Sequence, residues 1–115
     1  MAKSRIPGAL DRRHLIEKQL SEANATAIAE AYLEEGRCIE ALDFFAQANA
    51  RERLAELRAE AVAAGDAFLL RAVARAMQDP PERAEWEALA AAAEAAGKQR
   101  YATEARRQTE RSGGS

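Results

Sequence analysis

Few side chains in this 115-residue chain have types and spacing suited to chemistry. His14, the sole histidine, lies in DRRHLIEKQ with no cysteine or second histidine at ligand spacing. One imidazole cannot build a metal site, so it reads as an exposed or partly packed side chain. Cys38, the sole cysteine, follows Arg37, a neighbour able to lower a thiol pKa. Its place just past a turn also fits a half-buried small apolar residue, and that is the expectation. Glu30 with Glu34 and Glu35, and Glu82 with Glu85, offer paired carboxyls. Acid–base work needs one carboxyl of raised pKa in a dry cleft. No run of bulky apolar residues would supply that cleft, so these glutamates read as solvated helix faces. No glycine-rich phosphate loop or nucleophile elbow occurs. The expectation is a protein that is not an enzyme, with no cofactor, metal or small-molecule substrate.

The basic side chains Lys98, Arg100, Arg106 and Arg107, beside Tyr101, could meet phosphates. Their run is short and mixed with Glu104 and Glu110, which disfavours a nucleic-acid partner. Arg71 and Arg75 stand one turn apart and are expected to pair with acids on a neighbouring helix. Trp86 and Tyr101 are expected in the core. Charge is unevenly placed: residues 1–20 and 98–115 each hold five basic and two acidic side chains, whereas 21–97 hold seven basic and fifteen acidic. An acidic centre attracts cationic partners, screened beyond about 8 Å at physiological salt.

These side chains must be positioned by helices. Alanine contributes 30 residues, Leu, Ile, Val and Phe only 19, and strand-like alternation is absent. Alanine favours helix and allows close packing. Net charge is only −2, so the scarcity of bulky residues does not signal disorder. The stretch AYLEEGRCIEALDFFAQA, residues 31–48, places two amphipathic halves around Gly36. Tyr32, Leu33, Phe44 and Phe45 give bulk, while Ala29, Ala41 and Ala48 give gaps. Such a hairpin cannot bury its own apolar face and must stack on neighbours. Gly36, Gly65 and Gly97 recur at intervals of 29 and 32 residues in LEEGRCIEA, VAAGDAFLL and EAAGKQRYA, as left-handed helix ends would.

Helices are therefore predicted over about 8–20, 22–35 (capped by Ser21), 37–48, 50–64 (capped by Asn49), 67–78 (capped by Asp66) and 98–111. Asp79-Pro80-Pro81-Glu82 reads as the start of a further helix reaching Ala96, with Asp79 as cap. Leu10, Ile16 and Leu20 place the first helix as a cover over the first pair. The fold class is all-α: an α-α superhelix or solenoid of about three helix-turn-helix pairs with an N-terminal covering helix, six or seven helices in all. Residues 1–7 are expected to be flexible, 8–111 to form one helical domain, and 112–115 to be a disordered tail. A single cysteine and the absence of a signal-length or membrane-length apolar run point to the cytoplasm.

The arrangement resembles the tetratricopeptide repeat, a helix-turn-helix unit of about 34 residues. Ala25, Ile28, Ala29 and Tyr32 occupy the first half of its pattern, and Ala41 and Phe45 the second. Trp86, Leu89, Ala90 and Ala102 match in the third unit, with Ala93 at the tyrosine position and Arg106 at the phenylalanine position. In the second unit Leu54 and Leu57 fit, while Arg58 and Leu70 stand where small residues belong. The resemblance implies a groove lined by Thr26, Glu30, Leu33 and Glu34, then Glu52, Ala55, Ala59 and Val62, then Glu87, Ala91 and Glu94. Such a surface is acidic with alanine floors. The functional expectation is a protein-binding scaffold or adaptor that takes a basic or amphipathic peptide segment. The alternatives are a self-assembling helical homo-oligomer and, less favoured, a nucleic-acid accessory protein.

Overall fold

The computed structural model describes residues 9–113 of the chain, and the side chains of residues 16–111. Among the described residues all regular structure is helical: α1 (Ala9–Glu34), α2 (Cys38–Gln47), α3 (Arg51–Ala64), α4 (Ala67–Met77), α5 (Arg83–Ala95) and α6 (Gln99–Gly113). The fold is all-α, as expected. Residues 1–7, expected to be flexible, lie outside the described residues, as do 114–115. The expected tail at 112–113 is the end of α6.

The chain divides into two compact units, Met1–Ala50 and Arg51–Ser115. The first contains one hairpin, α1 against α2. The second contains two: α3 pairs with α4 and α5 with α6, and the hairpins stack with α3 on α5 and α4 on α6. First helix on first helix and second on second is the arrangement of a helical repeat.

Helix C-termini in both units use one device. At Gly36 the glycine N–H donates to the Leu33 carbonyl and the next N–H to the Tyr32 carbonyl, each at 2.9 Å. Gly65 and Gly97 repeat this, with φ of +68° and +76°. This Schellman closure satisfies carbonyls that the helix leaves orphaned. Two further ends close identically without glycine: Asn49 after α2 and Gln78 after α4, at φ of +56° and +54°. Asn49 therefore ends α2, and the expected start of α3 moves to Arg51. Asparagine tolerates this conformation better than other side-chain-bearing residues.

Starts differ more from expectation. Ser21 caps nothing: the helices expected over 8–20 and 22–35 are a single 26-residue α1. No glycine or proline interrupts residues 9–34, and a serine cap is worth only about 1 kcal/mol. That is too little to break a continuous hydrogen-bond ladder. The expected covering role is accordingly not taken, and Ile16 and Leu20 remain 54% and 59% exposed. Asp66 caps α4 as expected, accepting from the Leu69 N–H at 3.0 Å. Asp79 does not cap α5, which begins after Glu82. A residue preceding proline is driven out of the helical region, and both Asp79 and Pro80 precede one. The Glu82 N–H donates instead to Glu85 Oε1 at 2.9 Å.

In the first unit Ala25, Ala29, Ala41, Leu42, Phe45 and Ala48 are buried. Tyr32 and Phe44 stack with ring centroids 5.5 Å apart, and the Arg37 guanidinium lies 4.9 Å from the Tyr32 centroid. The second unit packs Leu70, Trp86, Leu89, Ala93, Ala102 and Ala105 in one core, with Tyr101 against it. Fully burying Leu70 or Leu89 stabilises by about 1.5–3 kcal/mol each. A Cβ on Gly65 would lie 2.6 Å from the Ala93 backbone, so the α3–α4 turn touches α5 where only small residues fit. Arg106, at the phenylalanine position of the repeat pattern, is exposed and ion-paired with Glu94, because Ala102 and Ala105 hold the buried face of α6.

Candidate functional site

Two constellations stand out, one in each unit, and neither was singled out by sequence. In the first unit α1 and α2 leave a shallow groove of about 390 Å³. Leu20, Ala25 and Ile28 of α1 and Phe44 of α2 line it, with Glu17 and Gln47 among its polar members. Leu20 and Ile28 are 59% and 42% exposed, and Phe44 is half-buried. Residues 20, 24 and 28 recur every four positions and so form one ridge along α1. Exposed apolar residues scattered singly need no explanation, which covers Phe68 in α4 and Ile39 in α2. Leu20 and Ile28 differ in flanking an aromatic ring on one side of the hairpin.

The second constellation is closed. Arg58 of α3 is 8% exposed, and all five of its N–H groups are satisfied. Its Nε and one Nη donate to the two Glu85 carboxylate oxygens at 2.7 Å each, a bidentate pair. The same guanidinium donates to the Asp79 carbonyl at 2.9 Å and the Pro80 carbonyl at 3.2 Å, and meets Met77 Sδ at 3.7 Å. One buried side chain thus ties α3 to the prolines before α5 and to the first turn of α5. Hydrogen bonding to Glu85 raises the Arg58 pKa, and the same bond lowers that of Glu85. The cluster holds structure together and offers no open face.

The residues expected to line a groove are distributed between the units. Thr26, Glu30, Leu33 and Glu34 lie on α1, and none of them lines the groove at Leu20 and Ile28. The Thr26 hydroxyl donates to the Glu22 carbonyl at 2.9 Å, a bond within the helix. In the second unit Glu52, Ala55 and Ala59 are exposed along one side of α3, while Val62 is half-buried against the core. Glu87, Ala91 and Glu94 are exposed on α5 at spacings of four and three. Two of those carboxylates are already engaged, Glu87 by Arg83 at 2.9 Å and Glu94 by Arg106. The acidic lining is therefore partly neutralised within the second unit itself.

Other candidates resolve simply. Trp86 is buried and Tyr101 half-buried, both as core members. Cys38 is half-buried at the start of α2. Arg71 pairs with Glu104 of α6, as expected of a cation facing a neighbouring helix, and Arg75 is exposed. Lys98 donates to the Ala64 carbonyl at 2.8 Å and so bridges two helix ends. The side chain of His14 lies outside the described residues. Among the described residues two carboxyls have displaced titration, Glu40 and Glu85, both lowered by hydrogen bonds from guanidinium partners, Arg37 and Arg58. A general acid needs the opposite displacement. Among the described residues no group of three or more His, Cys, Asp or Glu is placed to hold a metal ion, and no helix is long and apolar enough to cross a membrane.

The groove was hidden from sequence because Leu20 read as part of a separate covering helix and Phe44 as hairpin core. Ile16, Leu20 and Ile28, at spacings of four and eight across Ser21, were the available signal. No protein-family model, curated protein or solved structure matches this chain.

Proposed function

We propose that this chain is a non-enzymatic protein-interaction module, and that its first unit captures a basic or amphipathic helical segment. The observation carrying this reading is the open ridge of Leu20 and Ile28 beside Phe44 on a hairpin that is itself rich in carboxylates. Residues 21–50 carry six acidic side chains and one basic one. An amphipathic helix laid in a groove buries its apolar face and leaves a polar face for charge pairing. The apolar contacts supply affinity, and the surrounding carboxylates favour cationic partners and speed encounter. The hairpin is already ordered by its buried alanines and Phe45, so little ordering cost falls on the groove during capture.

A labelled model peptide of leucine and lysine, with leucine at helical spacing, tests the reading by fluorescence anisotropy. Binding should weaken at least tenfold with Leu20→Glu and Ile28→Glu combined, at unchanged helical circular dichroism. Binding that ignores those substitutions, or that depends on Ala55 and Ala91 instead, contradicts it.

A further inference from the structure

The geometry points to a binding face for single-stranded nucleic acid on the α4–α6 layer of the second unit, a proposal independent of the groove reading above. Charge in this unit is balanced in total but segregated by layer. α4 and α6 carry six basic and two acidic side chains, whereas α3 and α5 carry four basic and six acidic. Two contacts fix how α4 lies against α6. Lys98 Nζ donates to the Ala64 carbonyl and Arg71 pairs with Glu104, at sequence offsets of 34 and 33. Offsets so nearly equal mean that the two helices run parallel. One turn on from Arg71, Arg75 therefore comes level with the turn of α6 that carries Arg107 and Arg111. By the same register Phe68 comes level with Tyr101, next to Arg100.

Two outward ridges result. On α6, Arg100, Arg107 and Arg111 recur at spacings of seven and four, and all are exposed. Arg100 and Arg107 border a shallow hollow of about 420 Å³ together with Thr103 and Glu104. On α4, Phe68 and Arg75 stand two turns apart, and Phe68 is 53% exposed. Between the ridges Arg71 engages Glu104, the one acid that interrupts the α6 row. Glu110, the other acid of α6, stands about a quarter turn off that row. Among the described residues Arg75, Arg100, Arg107 and Arg111 have no ion-pair partner. A row of free guanidinium groups tracks a phosphate backbone, and an exposed aromatic ring gives a base a face to stack on. Alone, Phe68 needs no explanation; here it adds that face to a row of cations. An acidic peptide needs the cations only, and a helix lying in a membrane inserts a whole apolar side, which this layer lacks.

Fluorescence anisotropy with a labelled oligothymidylate of about twenty nucleotides tests this. Four arginine–phosphate contacts predict that affinity falls about 50-fold between 50 and 200 mM salt. Arg100→Gln with Arg107→Gln should weaken binding at least tenfold at the lower salt and halve the logarithmic salt slope. Phe68→Ala should weaken it at least fivefold and leave that slope unchanged. Arg83→Gln, in the acidic layer, should change it less than twofold. Helical circular dichroism should stay constant throughout, since each of these side chains is exposed. No binding at 50 mM salt overturns the inference, as does binding indifferent to the arginine pair. Loss with the arginines but not with Phe68→Ala overturns it too, as does equal affinity for polyglutamate or for phosphatidylserine vesicles.

Discussion

The two units use the same alanine-rich hairpins and the same helix-ending device, yet one is closed and the other open. The second unit stacks two hairpins, buries Trp86, Leu70 and Leu89, and locks its central linker with Arg58. Its eleven basic and eleven acidic side chains balance, and several are paired with one another. The first unit is one hairpin with a net charge of −2 and three large aliphatic side chains exposed along α1. The comparison teaches that a helical hairpin buries its apolar ridge or leaves it exposed according to whether a second hairpin packs on it. Composition alone does not separate the two.

The largest expected effect lies in the closed unit. Arg58→Ala removes the guanidinium donors of Glu85 and of two linker carbonyls, and should cost about 3–5 kcal/mol. Urea unfolding followed through Trp86, which belongs to this unit alone, reads the loss directly. The ion pair also gives a pH signature. Because Glu85 is lowered in the folded state, its contribution is present above the ordinary carboxylate pKa of about 4.3. It is lost as pH falls through the depressed value. The stability gap between wild type and Glu85→Gln should therefore be constant near neutrality and close in acid.

Glycine substitutions sharpen the contrast, because the same left-handed turn sits in different surroundings. Gly65→Ala meets both the backbone penalty and the Ala93 backbone, and should cost about 2–4 kcal/mol. Gly36→Ala in the open unit finds nothing within 4 Å of its new Cβ and should cost only about 1–2 kcal/mol. Equal losses in thermal unfolding would remove the distinction between a packed and an unpacked turn. Gln78→Gly relieves a left-handed side-chain-bearing residue and should gain about 1 kcal/mol. Smallest of all in stability, Leu20→Glu and Ile28→Glu should each change unfolding by no more than about 0.5 kcal/mol, since neither side chain is buried.

Much of the scaffold was legible in the residues. The three glycines announced three hairpins, Asp66 announced a cap, and alanine abundance announced close helix packing. The ends of α2 and α4 were legible to within a residue, but their left-handed closures at Asn49 and Gln78 were not, because neither residue requires that region and only the surrounding backbone selects it. The continuity of α1 was missed because a serine suited to capping is also tolerated inside a helix. Arg58 looked like a misfit in a pattern of small residues, whereas tertiary structure gives it four partner residues brought from 19 to 27 positions away. The groove was obscured by the same error at Ser21: once one helix was read as two, the Leu20–Ile28 ridge fell on either side of a boundary.

The most direct test of the account is an NMR titration of the isotope-labelled chain with the leucine–lysine helical peptide. The account predicts chemical-shift changes gathered at Leu20, Asn24, Ile28 and Phe44, with Leu70 and Leu89 unmoved. Changes gathered instead along Ala55, Ala59 and Ala91, or none at saturating peptide, would contradict it.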